Sequence, residues 1–264
     1  ILWDLNMSFG GFRLTDATQS YFNGFDIAQA QNMDPLNFIN NSFLSPRPLI
    51  NQLLTDPRNQ KMYLAHMRTI IEEHFSNQNY ATRAQDLQNL ISSDVQNDVN
   101  KFYSFNDFLN NINNQVTIPS SICPGITQLM DGRATYLSNY WSNFTQPNIS
   151  NIQTQPNSNQ FFGDDLTITA QIQDANYAML AYRYGENMPF INIQMFDDGN
   201  HNDGSANDGL YGAIINNCSN SIDYYLYAES NNEGIFSPKR AAYEFYNIKT
   251  SVPQSSLVIN EVMA

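Results

Sequence analysis

The hydrophobic period of this chain changes once, near Pro147, and that change constrains the fold more than any other feature. Before it, apolar residues recur at the three-and-four spacing of a helix face. After it they alternate with polar ones, as in a strand with one buried side. A single element type cannot satisfy both patterns, so the chain divides into a helical part and a β part.

In the helical part, Asp56-Pro57 supplies a capping carboxylate followed by proline at a position where its missing N–H costs nothing. Met62, Tyr63, Met67, Ile70, Ile71 and Phe75 then predict a helix over 57–75. Leu87, Leu90, Ile91, Val95 and Val99 predict a second over 81–103. Ser104 caps a third that carries Phe105, Phe108, Leu109, Ile112 and Val116. Cys123-Pro124-Gly125 opens a fourth that runs to about Tyr140. In the β part, alternation predicts strands over 149–154, 166–173, 178–184, 191–196, 210–215, 222–228 and 241–248, separated by Asn, Asp, Gly and Pro turns. Seven short strands in this span argue for an antiparallel β-sandwich of immunoglobulin type. The fold class expected is therefore α+β and multidomain: a mainly helical region over 1–145, the sandwich over 146–250, and a linker leading into a further domain over 251–264. The boundary is placed in the polar stretch Ser142 to Pro147.

Composition narrows the function. At 42% hydrophobic residues the chain has enough apolar material for real cores. Its formal net charge of -13 comes from 12 Lys and Arg set against 25 Asp and Glu. Phosphate backbones and anionic surfaces would repel such a chain, so nucleic acid is not an expected partner. No apolar stretch approaches the length of a membrane span. The opening Ile1-Leu2-Trp3-Asp4 reads as the start of an excised piece of a longer protein. Cys123 and Cys218 fall in different regions; a disulfide between them is allowed but not required. His66 and Glu73 share a helix face, but three His without a His-Glu-x-x-His spacing point to structural hydrogen bonding, not zinc. The 15 Tyr and 17 Phe read chiefly as core, with a glycan-binding face as the other use.

Two motifs could carry chemistry. In Trp3-Asp4-Leu5-Asn6-Met7-Ser8-Phe9-Gly10, an acidic residue in an apolar run precedes a small-residue turn, which suits either a plain turn or a carboxylate that coordinates Mg²⁺. In the stretch from Phe196 to Gly212, Asp-Gly recurs at 198, 203 and 208. Asp198, Asn200, Asp203 and Asp208 could aim oxygens at Ca²⁺, and crowded carboxylates repel one another without a cation. The EF-hand template does not fit, because counting from Asp198 the required glycine arrives one place late and Gly209 stands where a Glu is needed. Successive tight turns between two strands explain the same residues without a metal.

The first motif resembles the Trp-Asp-x-Asp-x-(Ser/Thr)-Phe-Gly signature of the CotH-like spore-coat kinase family, atypical protein kinases that use ATP and a divalent metal. The segments 62–75 and 83–91 are similar to that family's C-terminal helices. The resemblance implies that Asp4 holds the metal of Mg-ATP, with Asn6 at the second, normally acidic, position. It also implies phosphoryl transfer to a Ser or Thr of a partner protein, and phosphate-binding and catalytic-loop elements upstream of Trp3, so that this piece alone is not catalytic. The stretches 196–212, 224–229 and 236–245 together resemble the immunoglobulin-like module of secreted bacterial CotH-like proteins, and Leu257 to Ala264 the opening of a lamin-tail domain. That order implies a secreted or cell-surface protein whose partner is a phosphoacceptor or a surface component. The alternative from a different class is a noncatalytic adhesion or carbohydrate-binding module with a Ca²⁺-stiffened Asp-Gly loop.

Overall fold

The computed structural model describes residues 9, 26–36, 48–118, 121–156, 160–161 and 163–251, and these form two compact units, 1–143 and 144–264. In the first, helices α1 (Ile27–Gln31), α2 (Pro48–Leu54) and α3 (Pro57–Ile70) are followed by a π-helical turn, Ile71–Phe75. Then come α4 (Asn79–Asn97), α5 (Phe105–Asn110), a hairpin of β1 (Val116–Ile118) and β2 (Ser121–Cys123), and α6 (Ile126–Trp141). The second unit holds β3 (Asn148–Gln155), β4 (Gln160–Phe161), β5 (Leu166–Gln173), β6 (Tyr177–Arg183), β7 (Ile191–Met195), β8 (Leu210–Ile215), β9 (Ile222–Glu229), β10 (Gly234–Ser237), β11 (Tyr246–Ile248) and β12 (Thr250–Ser251).

The helix starts follow their capping residues. The Asp56 carboxylate accepts from the amides of Arg58 and Asn59, with Pro57 in the first turn of α3. Ser104 and Asp107 form a reciprocal capping box at α5. The N-terminal amides of α6 donate to the carbonyls of Asn111 and Ile112. Gly125 is required at that start, since a Cβ there would lie 2.6 Å from the Asn113 backbone. Leu129, Ala134, Leu137 and Trp141 of α6 form a buried stripe. Leu64, Ala65 and Ile71 are also buried, and the Arg68 guanidinium lies over the Trp141 ring at 5.2 Å. Arg133 donates to the carbonyls of Gln31 and Met33, which ties α1 to α6.

Three helical expectations need correction. The expected helix over 57–75 is α-helical only to Ile70 and then widens into the π turn. The second helix stops at Asn97, not Tyr103: Asp98 turns extended, its side chain accepts from the Asn100 amide, and Lys101 caps the carbonyls of Gln96 and Asp98. The third covers 105–110 only, because the Asn-rich run after it breaks the helix and the β-branched Val116-Thr117-Ile118 pairs with 121–123 as a hairpin.

In the β unit, β3-β5-β8 make one antiparallel sheet; β10-β9-β6-β7 make the other, with β11 also pairing with β9. Even-numbered residues of β5 (Leu166, Ile168, Ala170, Ile172) and of β9 (Ile222, Tyr224, Leu226, Ala228) share one core with Leu180, Met195 and Ile215. These are the inward faces of a sandwich. The outer face of β3-β5-β8 carries Gln153 and Gln155 opposite Thr169 and Thr167, as alternation predicts.

The other sheet departs from simple alternation. Met179, Ala181 and Tyr227, on its outer side, are also buried. Phe236 packs on Tyr225 and Tyr227, and Phe190 on Tyr225. The Arg183 guanidinium lies 4.6 Å from the Phe190 ring and 4.8 Å from that of Phe245, while its Nε pairs with Asp223 at 3.2 Å. Both faces of β6 and β9 are therefore covered, and their sequences run apolar with little interruption. The strand expected over 241–248 is limited to 246–248, because Pro238 begins a series of turns closed by Ala241 N–H to Pro238 and by Tyr243 and Glu244 N–H to Arg240. The two cysteines are free thiols: Cys218 is in the sandwich core and Cys123 half-buried in the helical unit.

Candidate functional site

The loop between β7 and β8 is organised by carboxylates that accept backbone amides. Asp203, with no solvent exposure, takes three: Asp198 N–H at 2.6 Å, Gly199 at 2.9 Å and His201 at 2.8 Å. Asp208 accepts from Ser205 and Leu210, and Asp197 from Asp208 and Gly209. Asp198 accepts from the Asn200 amide and pairs with His201 Nδ1 at 2.9 Å. Gly199, Gly204 and Gly209 all have positive φ, which is what each Asp-Gly step contributes to winding the loop. The loop folds back over β8 at Gly212, where a Cβ would lie 2.3 Å from the His201 carbonyl oxygen. The His201 ring stacks on Phe196 at 4.8 Å, and Asn202 Nδ2 donates to Thr167 Oγ1 at 3.0 Å.

These contacts set the local electrostatics. Burial pushes the Asp203 carboxyl up, but the amides of Gly199, His201 and Asp198 outweigh it and leave it below the usual carboxylate range. Asp198 is lowered first by its hydrogen bond to His201 and then by the Asn200 amide.

Of the residues expected to hold Ca²⁺, Asp198 and Asp203 come together, and His201 joins them: one ligand atom from each lies within 4.8 Å of the others. Asn200 and Asp208 are outside that triad. Asn200 is engaged with Asp198, and Asp208 with its own turn. His201 was legible as the single imidazole of the loop. As for fit, the triad offers a cation two carboxylates and one imidazole, but both Asp203 oxygens already accept amides. The loop's charge is thus balanced by N–H groups whether or not a cation binds.

Asp4 and Asn6, expected at the Mg²⁺ of Mg-ATP, lie outside the described residues, as do Leu257 to Ala264. Phe9 of the same motif is described: its φ is 53°, and its ring centre is 6.5 Å from that of Phe75 in the π turn. It borders a cavity of about 560 Å³ walled by Leu87, Ile91, Phe108, Ile112 and Val116, with Arg83 beside it. Among the described residues the only grouping of three or more acidic, His or Cys side chains suited to a metal is the triad in the loop. His66 is half-buried, and burial pushes its imidazole down. Among the described residues the helical unit holds no such grouping, so a fit to Mg-ATP would rest on Asp4 and Asn6.

The comparisons with known proteins bear mainly on the helical unit. No curated protein matches the chain. Among solved structures, a Br derivative of BhCBM56 is similar at 15% identity and a TM-score of 0.26, over 40% of this chain and 96% of that one. The family model described as CotH kinase protein matches residues 1–143. That match takes in the Trp3 to Gly10 motif and every helix from α1 to α6, more than half of the sequence. The chain belongs to the CotH kinase protein family.

Proposed function

We propose that the helical unit is the C-terminal part of a phosphoryl-transferring domain that uses Mg-ATP, with Asp4 as a metal ligand and Asn6 as a neutral second ligand. The observation that carries this reading is the family match over residues 1–143. The metal would supply charge neutralisation at the phosphates when bound. Asp4 is the one carboxylate at the motif's metal position, and its loss removes a hard oxygen ligand that Asn6 does not replace in charge. The phosphoacceptor is a Ser or Thr of a partner protein. The β unit is an immunoglobulin-like spacer that presents its neighbours at a secreted or cell-surface location. Its strand order supports this: the first, second and fifth main strands form one sheet, and the sixth lies beside the third in the other. Residues 257–264 begin a lamin-tail domain. No helix among the described residues is long and apolar enough to cross a membrane.

Mn²⁺ binding in the presence of ATP, read by electron paramagnetic resonance on the chain joined to the phosphate-binding elements that the family resemblance implies, tests the metal role. Asp4→Ala is expected to weaken ATP-dependent Mn²⁺ binding by about tenfold or more. Equal binding by both proteins would remove Asp4 from the site.

Calcium at the loop is a second reading, supported by the proximity of Asp198, His201 and Asp203. Under it, millimolar Ca²⁺ raises the melting temperature of the β unit relative to chelator, and Asp198→Ala abolishes the shift. Identical melting curves would leave the amide-balanced loop as the whole account.

A further inference from the structure

We propose that the outer face of the β3-β5-β8 sheet carries a binding cleft for a neutral carbohydrate, with the Asp-Gly loop as one of its walls. The inference stands on the β unit alone and is independent of the phosphoryl-transfer reading.

A polar hollow of about 690 Å³ opens on this face. Its floor is Thr167 and Thr169, successive outward positions of β5. One wall is β3, whose Gln155 and Gln153 stand opposite those threonines in register. The other wall is Asn202, carried over the sheet by the loop and hydrogen-bonded to the Thr167 hydroxyl. Asp165 closes one end, with one carboxylate oxygen accepting from the Asn217 amide.

The wall is a built feature. Gly212 lets the His201 carbonyl descend onto β8, and the buried Asp203 carboxylate holds the backbone leading into Asn202 through the amides of Asp198, Gly199 and His201. Asn202 itself adopts a φ of 57°, which aims its side chain from a tight turn. A hollow whose walls are held this firmly loses little freedom when a ligand enters.

The lining selects the ligand class. Side-chain amides offer a donor and an acceptor each, hydroxyls offer both, and the carboxylate accepts only. That set matches neighbouring hydroxyl groups on a sugar ring, which also donate and accept. Among the described lining residues there is no Lys or Arg, so phosphate or another anion would gain nothing here against a chain of net charge -13. Pro156 is the one apolar side chain among the described lining residues, which leaves a lipid chain little to bury against.

The test titrates the 264-residue chain with cellohexaose, laminarihexaose, chitohexaose and mannohexaose by calorimetry, with inorganic phosphate as the anionic control. Saturable binding of at least one oligosaccharide is expected. Gln153→Ala and Gln155→Ala, both at exposed positions, should each weaken it by about tenfold, one lost hydrogen bond apiece, with the melting temperature unchanged. Asn202→Ala should weaken it further, read alongside its melting curve because it alters the loop. Failure of all four oligosaccharides to bind at millimolar concentration would overturn the proposal. So would binding indifferent to the Gln153 and Gln155 changes, or phosphate binding in place of sugar.

Discussion

Asp203 shows how one residue can organise a whole loop. Its carboxylate is buried and takes three amides of the loop it sits in, so its removal leaves those donors to find water in a space the loop itself fills. Asp203→Ala is expected to destabilise the β unit by about 3 kcal/mol, measured by urea unfolding. The pH dependence has a definite sign. Because the folded-state pKa is depressed, the stabilisation is fully present above the unfolded value of about 3.9 and fades as pH falls through the folded value. Asp203→Asn should flatten the acid limb of the stability curve; an unchanged limb would show that other carboxylates control it. The sequence identified this loop by its repeated Asp-Gly steps but left open what the carboxylates face. Spacing reveals where oxygens are, whereas the direction of the amides depends on the positive φ of each glycine, set only when the loop closes on Gly212.

At the scale of elements, helix starts were easier to read than stops or interiors. Asp56-Pro57 and Ser104 announce helix starts because a capping side chain acts on its immediate neighbours. The stop of α4 depends on Asp98 and Lys101 acting through polar contacts that interrupt an apolar stripe still continuing to Val99. The π turn at 71–75 is invisible to a helical period, since it adds one residue without changing the residue types. Nor did alternation reveal that β6 and β9 are covered on both faces, because the covering comes from Phe190, Phe236 and Phe245, distant in sequence. Arg183 joins that layer to the sheet through two rings and Asp223. Arg183→Ala should cost about 3 kcal/mol, as it leaves Asp223 buried with Asn247 as its remaining cross-strand partner. Arg183→Lys should recover only part of that, because an ammonium lacks the flat face that two rings can sandwich. Equal stability of the three proteins by chemical denaturation would show the stack to be incidental.

For the whole molecule, each unit has its own buried residues: Leu129, Leu137 and Trp141 among those of the helical unit, and the β5 and β9 faces in the sandwich. Calorimetry of the intact chain is expected to show two transitions, and Asp203→Ala should lower one while leaving the other in place. A single transition that moves as one would mean the units melt together. The change of period near Pro147 made this division readable, since helical and alternating patterns cannot share one element. The polar cleft was not readable, because it needs β3, β5 and the loop side by side, and no local pattern encodes that meeting.

The two free thiols give the chain a built-in pair of labels of unequal reach. Cys218 has no solvent exposure, donates to the Ile215 carbonyl, and is pushed toward the neutral form first by burial and then by the nearby Asp165 charge. Cys123 is only half-buried. Under native conditions a maleimide should therefore mark the helical unit alone, and the second thiol should react only when the sandwich opens. Mass spectrometry of labelling against time would then report the opening of the sandwich without any engineered probe.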